Sequence, residues 1–340
     1  MSLIAKEYRG GIVDLLFNGH IAVADTDGNV LYQHGDPYRV TYARSSGKPI
    51  YAFSYLENGI MEKYDFTEKE LAIFCASHNG EPFHTETVLG VLRKIGLDES
   101  YLQCGTHEPT SDLIRIKFRE AGTKPGPINN NCSGKHSGML ATATIRNLSL
   151  NDYTDLSHPV QQAILQVIAD LCDYPVSDIV IGIDGCGAPV HALPLNKFAQ
   201  AYARMAKPET LGPAREASAR RITSAMTHYP EMVAGTGDFV TALMRAFGDR
   251  LFCKSGANGF FALGLFGKGL GVTVKLDDGG AGIMPMVVLE ALAQIGAITR
   301  EEAKNLPGFK FGEDTRQEMK NHRGDIVGWR EPLFALKKAD

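Results

Sequence analysis

Tyr42-Ala43-Arg44-Ser45-Ser46-Gly47-Lys48-Pro49 is the stretch on which the reading of this chain turns. It sets a serine and a lysine three residues apart, with a proline after them. If the segment to Leu56 continues as a helix, Ser45 and Lys48 lie on one face at its N-terminus. A serine hydroxyl is a poor nucleophile at neutral pH. A lysine whose charge is disfavoured by burial or by a second cation can serve as its base. A helix cap beside a solvated lysine would read the same way, so the rest of the chain has to decide. Far downstream stands Lys254-Ser255-Gly256. Ser-x-x-Lys together with a Lys-Thr/Ser-Gly strand is the arrangement of penicillin-recognising serine enzymes.

Composition sets the frame. At 340 residues the chain calls for one large domain or two intimately packed ones. A hydrophobic fraction of 44% and a charged fraction of 22% are those of a water-soluble globular protein. The net charge of −4, without a run of Lys or Arg, argues against nucleic acid as a partner. The apolar runs near Gly259–Phe266 and Ile283–Leu292 are too short to span a membrane, and the N-terminus lacks the apolar core of a signal peptide. A cytoplasmic location is the expectation. Six scattered cysteines read as buried thiols rather than a disulfide framework.

Periodicity predicts strands at His20–Ala24 and Val30–Tyr32 around an Asp27-Gly28 turn. Helices are predicted over Ser45–Leu56, Thr67–Cys75, His84–Ile95, His158–Leu171, Leu195–Met205, Gly212–Thr227 and Met286–Ile295, with a short one over Ala297–Lys304. Ser177–Ile183 reads as a buried strand, Gly256–Leu276 as two strands, and Arg323–Trp329 as a last one. The order is sheet, helical middle, sheet. That implies an α+β fold, a single unit over 1–340 whose antiparallel sheet is completed by both ends of the chain, with helices packed on it.

Four further glycine-flanked segments carry reactive side chains. Cys75-Ala76-Ser77-His78-Asn79-Gly80-Glu81 follows a helix; it is either a C-terminal cap or a second hydroxyl near Ser45. Asn131-Cys132-Ser133-Gly134-Lys135-His136-Ser137-Gly138 looks too rich in glycine for the start of a core helix, and it lacks the spacing of a phosphate loop. Asp184-Gly185-Cys186-Gly187 follows a predicted strand, and Cys186 with Cys132 could supply two soft ligands for Zn²⁺, or both could be plain buried thiols. Gly235-Thr236-Gly237-Asp238 precedes an apolar helix, with Asp238 placed as its cap.

Taken in order, Tyr42–Pro49, Ala76–Glu81, Asn130–His136, Gly182–Pro189 and Ala234–Thr236, with the stretch from Leu97 to Pro109, resemble the Rhizobium etli-type L-asparaginases, the asparaginase II (class 3) family. The resemblance runs from about Arg9 to about Asp278. It implies a fold like the serine β-lactamases and serine-dependent glutaminases, and hydrolysis of L-asparagine to L-aspartate and ammonia. It implies two Ser-Lys pairs, Ser45 with Lys48 and Ser77 with Lys254, Lys275 being the competing choice for the second lysine. Cys132, Lys135 and Cys186 match zinc ligands that hold or orient the substrate. Arg44, Asn79, His136 and Asp184 match the substrate's surroundings. A homodimer is implied as well. Ser45 is slightly favoured as the attacker because a helix N-terminus would stabilise its alkoxide. Glutaminase or penicillin-type hydrolysis is the nearest alternative, and a non-catalytic amino-acid or metal sensor is the alternative of another class.

Overall fold

The computed structural model describes residues 2–309 and 315–339. Met1 and Asp340, the ends of the expected 1–340 span, lie outside them. The chain forms two compact units: Met1–Thr41 with Pro194–Lys207 and Ala242–Asp340, and Tyr42–Leu193 with Pro208–Thr241.

The first unit holds the large sheet. Among the described residues nine strands join it, the main path running Gln317–Lys320, Ile326–Pro332, Leu3–Arg9, Ile12–Ala24, Leu270–Leu276, Phe260–Leu265 and Leu251–Gly256. Both chain ends therefore share one sheet, and every pairing along it for which a register is given is antiparallel. Ile12–Ala24 pairs with Leu3–Arg9 through its first half, and with Val30–His34 and Leu270–Leu276 through its second. The Asp25 carboxylate ties the predicted hairpin by accepting from the Asp27 and Asn29 amides at 3.0 and 2.9 Å, and Gly28 supplies the positive φ of 89°. The helix Leu195–Ala206 packs on the sheet at Gly271 and Gly264, where a Cβ would strike the carbonyls of Ala199 and Tyr202. Met284–Gln294 packs against Ile326–Pro332. The fold is α+β.

The second unit is helical. Its centre is Lys48–Glu57, buried from Lys48 to Tyr55 without interruption. A helix apolar on every side must be enclosed, and Ser133–Ile145, Pro159–Cys172 and Pro213–His228 enclose it. Two expectations are corrected here. The segment judged too glycine-rich for a core helix is one: Ser133–Ile145 is helical and buried from Ser133 to Ala143. Gly134 and Gly138 are the reason, since a Cβ would collide with the Ile73 carbonyl at the first and lie 2.8 Å from the Tyr55 ring at the second. The strand expected to be buried over Ser177–Ile183 is Val180–Ile183, with Val180 52% and Ile183 71% exposed. It pairs with the strand that begins at Pro189, and a short apolar run does not by itself distinguish a core strand from an edge.

Candidate active site

The tetrad spanning Ser45 to Lys48 opens as a 3₁₀ turn, Arg44–Gly47, and passes into the helix at Lys48. Arg44 takes a left-handed φ of 51°, a costly conformation for a side-chain-bearing residue. Gly47 is required because the Tyr51 hydroxyl fills the place of its Cβ. Lys48 is 1% exposed. Its Nζ donates to the carbonyls of Ala76 at 2.5 Å and Asn131 at 3.3 Å, and lies 3.1 Å from the Ser77 Oγ. The Ser45 carbonyl accepts the Lys48 amide, but among the described residues no hydrogen bond joins the Ser45 hydroxyl to Lys48. In the structure Lys48 Nζ lies beside the Ser77 hydroxyl rather than that of Ser45. The side chain leaves the start of its helix toward the turn after Glu68–Phe74, instead of folding back along its own backbone.

That turn is held from both sides. The Ser77 amide donates to the Val233 carbonyl at 2.9 Å, and the Thr236 amide donates to the Glu81 carboxylate at 2.9 Å. Gly235, at a φ of 112°, backs directly onto the Asn79 amide, which a Cβ would strike. His78, fully buried, accepts from the Gly80 amide through Nδ1 at 3.2 Å, so its Nε2–H is the donor to Ser133 Oγ at 2.8 Å. Burial, with the nearby His84 and the Lys48 cation, holds His78 well below the usual imidazole range. Asn79 Oδ1 is buried without a partner among the described residues.

The second cluster lies where Ser133–Ile145 begins. Cys132, Lys135 and Cys186 are all buried, and Lys135 Nζ lies 3.1 Å from Cys186 Sγ. A hydrogen bond from Cys186 pushes the Cys132 thiol well down against the effect of burial, with Lys48 and Lys135 adding to it. Burial opposes the Lys135 charge, but the two sulfurs outweigh it and hold the ammonium. Two thiols and an amine are a soft donor set that suits Zn²⁺. Among the described residues no cluster of three His, Cys, Asp or Glu side chains is gathered to hold a metal, so a metal here would need Lys135 as its third ligand. His136, fully buried, has Nδ1 2.8 Å from the Tyr153 hydroxyl. Asp184 accepts from Arg44 Nε at 3.0 Å and Nη2 at 2.6 Å. Burial raises its carboxyl, but Arg44 and the Gly185 amide more than offset this and keep it ionised.

The other two expected lysines stand on the sheet unit. Lys254 is fully buried on Leu251–Gly256 and donates to the Ser255 carbonyl at 2.8 Å. Lys275, on Leu270–Leu276, donates to the Leu276 carbonyl at 2.8 Å. Asp238 caps as expected, its carboxylate accepting the Val240 amide at 2.8 Å.

The profile of the L-asparaginase II family matches residues 5–332. The chain belongs to the L-asparaginase II family. No curated protein matches the chain. Among solved structures it is similar to Mglu in its native form, at 14% identity and a TM-score of 0.44, covering 82% of this chain and 64% of that one. The chain thus spans less than two thirds of the length of Mglu. It is also similar to a beta-lactamase from Mycobacterium bovis, at 14% identity and a TM-score of 0.41, covering 82% and 95%.

For this asparaginase II chain, Tyr153 escapes a reading of sequence. It stands in a polar stretch, Asn151-Asp152-Tyr153-Thr154, with no motif around it. His78 and Ser133 lie inside the quoted motifs, but only their mutual bond shows that they tie the two clusters together.

Proposed function

We propose that this protein hydrolyses L-asparagine to L-aspartate and ammonia through an acyl-enzyme, with Ser77 as nucleophile and Lys48 as its base. The observation that carries the reading is the Lys48 Nζ to Ser77 Oγ distance of 3.1 Å in an asparaginase II chain. In the deprotonated form that can take up the serine proton, Lys48 has two N–H bonds and one lone pair. The Ala76 and Asn131 carbonyls take the two N–H bonds, which leaves the lone pair for the Ser77 hydroxyl. Ser77 Oγ attacks the side-chain amide carbon as its proton passes to Lys48 Nζ. The C–N bond then breaks and the proton leaves with the departing ammonia. Water hydrolyses the ester and restores both groups. Arg44, held by Asp184, suits a substrate carboxylate, while Asn79 Oδ1 is an acceptor for an ammonium or amide N–H.

Cys132, Lys135 and Cys186 would hold Zn²⁺, Lys135 as the neutral amine. When bound, the ion supplies a fixed positive centre that orients the substrate. The ordered motifs favour the Rhizobium etli type within the family, and with it a homodimer working in the cytoplasm. The test is ammonia release from asparagine, glutamine and a β-lactam measured side by side, with and without a chelator. Asparagine turnover well above the other two is expected. Glutamine preference would move the reading to a glutaminase, and tight asparagine binding without turnover would move it to a sensor.

A further inference from the structure

We propose that Tyr153 is a positioning residue that fixes His136 with its ring proton on Nε2, so that the site presents a buried N–H donor to an oxygen acceptor of the ligand. The inference rests on the reading of the site given above and adds the polarity of one contact. It follows from counting protons along a chain of three groups. The Gln103 backbone amide can only donate, and it points at the Tyr153 hydroxyl at 2.8 Å. That oxygen is therefore an acceptor on one side. Its own proton needs an acceptor, and among the described residues the group within reach is His136 Nδ1 at 2.8 Å. If Tyr153 donates, Nδ1 carries no proton and Nε2 does. In the opposite arrangement Nδ1–H would donate to the phenol, and the phenol hydrogen would be buried without an acceptor.

The surroundings keep this order in place. Tyr153 is fully buried, and its carbonyl accepts from Gln161 Nε2 at 2.7 Å, which anchors the segment. The two rings meet edge-on, with centroids 5.5 Å apart and planes at 79°. Burial raises the phenol's pKa, so it remains a donor at any working pH. His136 Nε2 is itself buried and has no hydrogen-bond partner among the described residues. A buried donor of this kind suits a carboxylate or an amide carbonyl and rejects an ammonium. With the other tautomer, Nε2 would be a bare lone pair, which attracts N–H groups or a metal instead.

The experiment is long-range ¹H–¹⁵N correlation on the full chain labelled with ¹⁵N-histidine, His136 being assigned by the loss of its signals in His136→Gln. The expected spectrum shows a protonated Nε2 and an unprotonated Nδ1. In Tyr153→Phe, which keeps the ring, the Nδ1 signal should move toward a tautomer mixture, and L-aspartate should bind about tenfold more weakly. An unprotonated Nε2 in the wild type overturns the proposal, as does an unchanged tautomer in Tyr153→Phe. Should that variant not fold, the wild-type spectrum decides alone. If asparagine is not hydrolysed while the tautomer and its dependence on Tyr153 hold, the hydrolase reading falls and the tautomer lock stands. If asparagine is hydrolysed but L-aspartate leaves the Nε2 signal unmoved, the donor role is overturned.

Discussion

At Lys48 one amino group meets two carbonyls and one hydroxyl, and among the described residues no carboxylate bonds to it. A lysine kept for structure alone is usually paired with an acid. Here two carbonyls and the Ser77 hydroxyl stand around the nitrogen instead, which puts a serine within reach of the base. Ser77→Ala should therefore lower asparagine turnover by at least about a thousandfold, and Lys48→Met by a similar factor. Ser45→Ala should cost no more than about tenfold. Steady-state ammonia release checks all three. A loss in Ser45→Ala as large as in Ser77→Ala would return the attacking role to Ser45. Lys48→Met also strips the partners from two carbonyls, so it should lose about 1 to 3 kcal/mol of stability in urea unfolding, which Ser77→Ala should not.

Among the elements, the helix Ser133–Ile145 shows how far a rule based on composition reaches. Glycine lowers helix propensity, and that argued against a core helix here. The Ile73 carbonyl sits where a Gly134 Cβ would be, so glycine is what lets this helix come close to Glu68–Phe74. Gly134→Ala should thus lose about 3 kcal/mol or more, since the neighbour in the way is backbone. Gly90, within Pro82–Lys94, is the matched control: the nearest atom to its Cβ is Glu70 Oε1 at 4.0 Å. Gly90→Ala should gain about 0.5 to 1 kcal/mol. Thermal unfolding of the two variants side by side reads out the difference, and equal shifts would remove the close-approach argument. Other elements were legible because their signals are local. Thr67 caps Glu68–Phe74 through a capping box with Glu70, and Gly96 follows Pro82–Lys94 at a φ of 77°.

For the molecule as a whole, buried imidazoles govern the response to acid. Burial lowers His84 to about 4, its contact with the Glu231 carbonyl offsetting only part of the effect. Burial lowers His191 to about 3. Both are neutral in the folded state and take up a proton near pH 6.5 once unfolded. Below about pH 6.5 the unfolded chain binds more protons, so stability falls as pH falls toward the folded values. Each should cost roughly 2 to 3 kcal/mol by about pH 4.5, and His78 and His136 shift in the same direction. The urea midpoint should drop steeply between pH 7 and 4.5; a flat profile would contradict the burial of these rings. Metal should act on stability too. An ion held by Cys132, Lys135 and Cys186 would link the start of one helix to the turn after Val180–Ile183, and preference for the folded chain would stabilise it. Chelated protein should melt several degrees lower and recover when zinc is returned. An unchanged melting temperature in protein shown to have lost zinc would separate the metal from the fold.

Local chemistry in the sequence was enough to indicate the hairpin around Asp25–Asn29, the capped helices, and membership of the asparaginase II family. It also marked the segments that carry Lys48, Ser77, Cys132, Lys135 and Cys186. It did not determine which hydroxyl faces Lys48, why Gly134 lies inside a core helix, or that Tyr153 holds His136. Those depend on contacts between segments distant in sequence. A side chain chooses its partner by direction and packing in space, and spacing along the chain records only the neighbours within a turn or two.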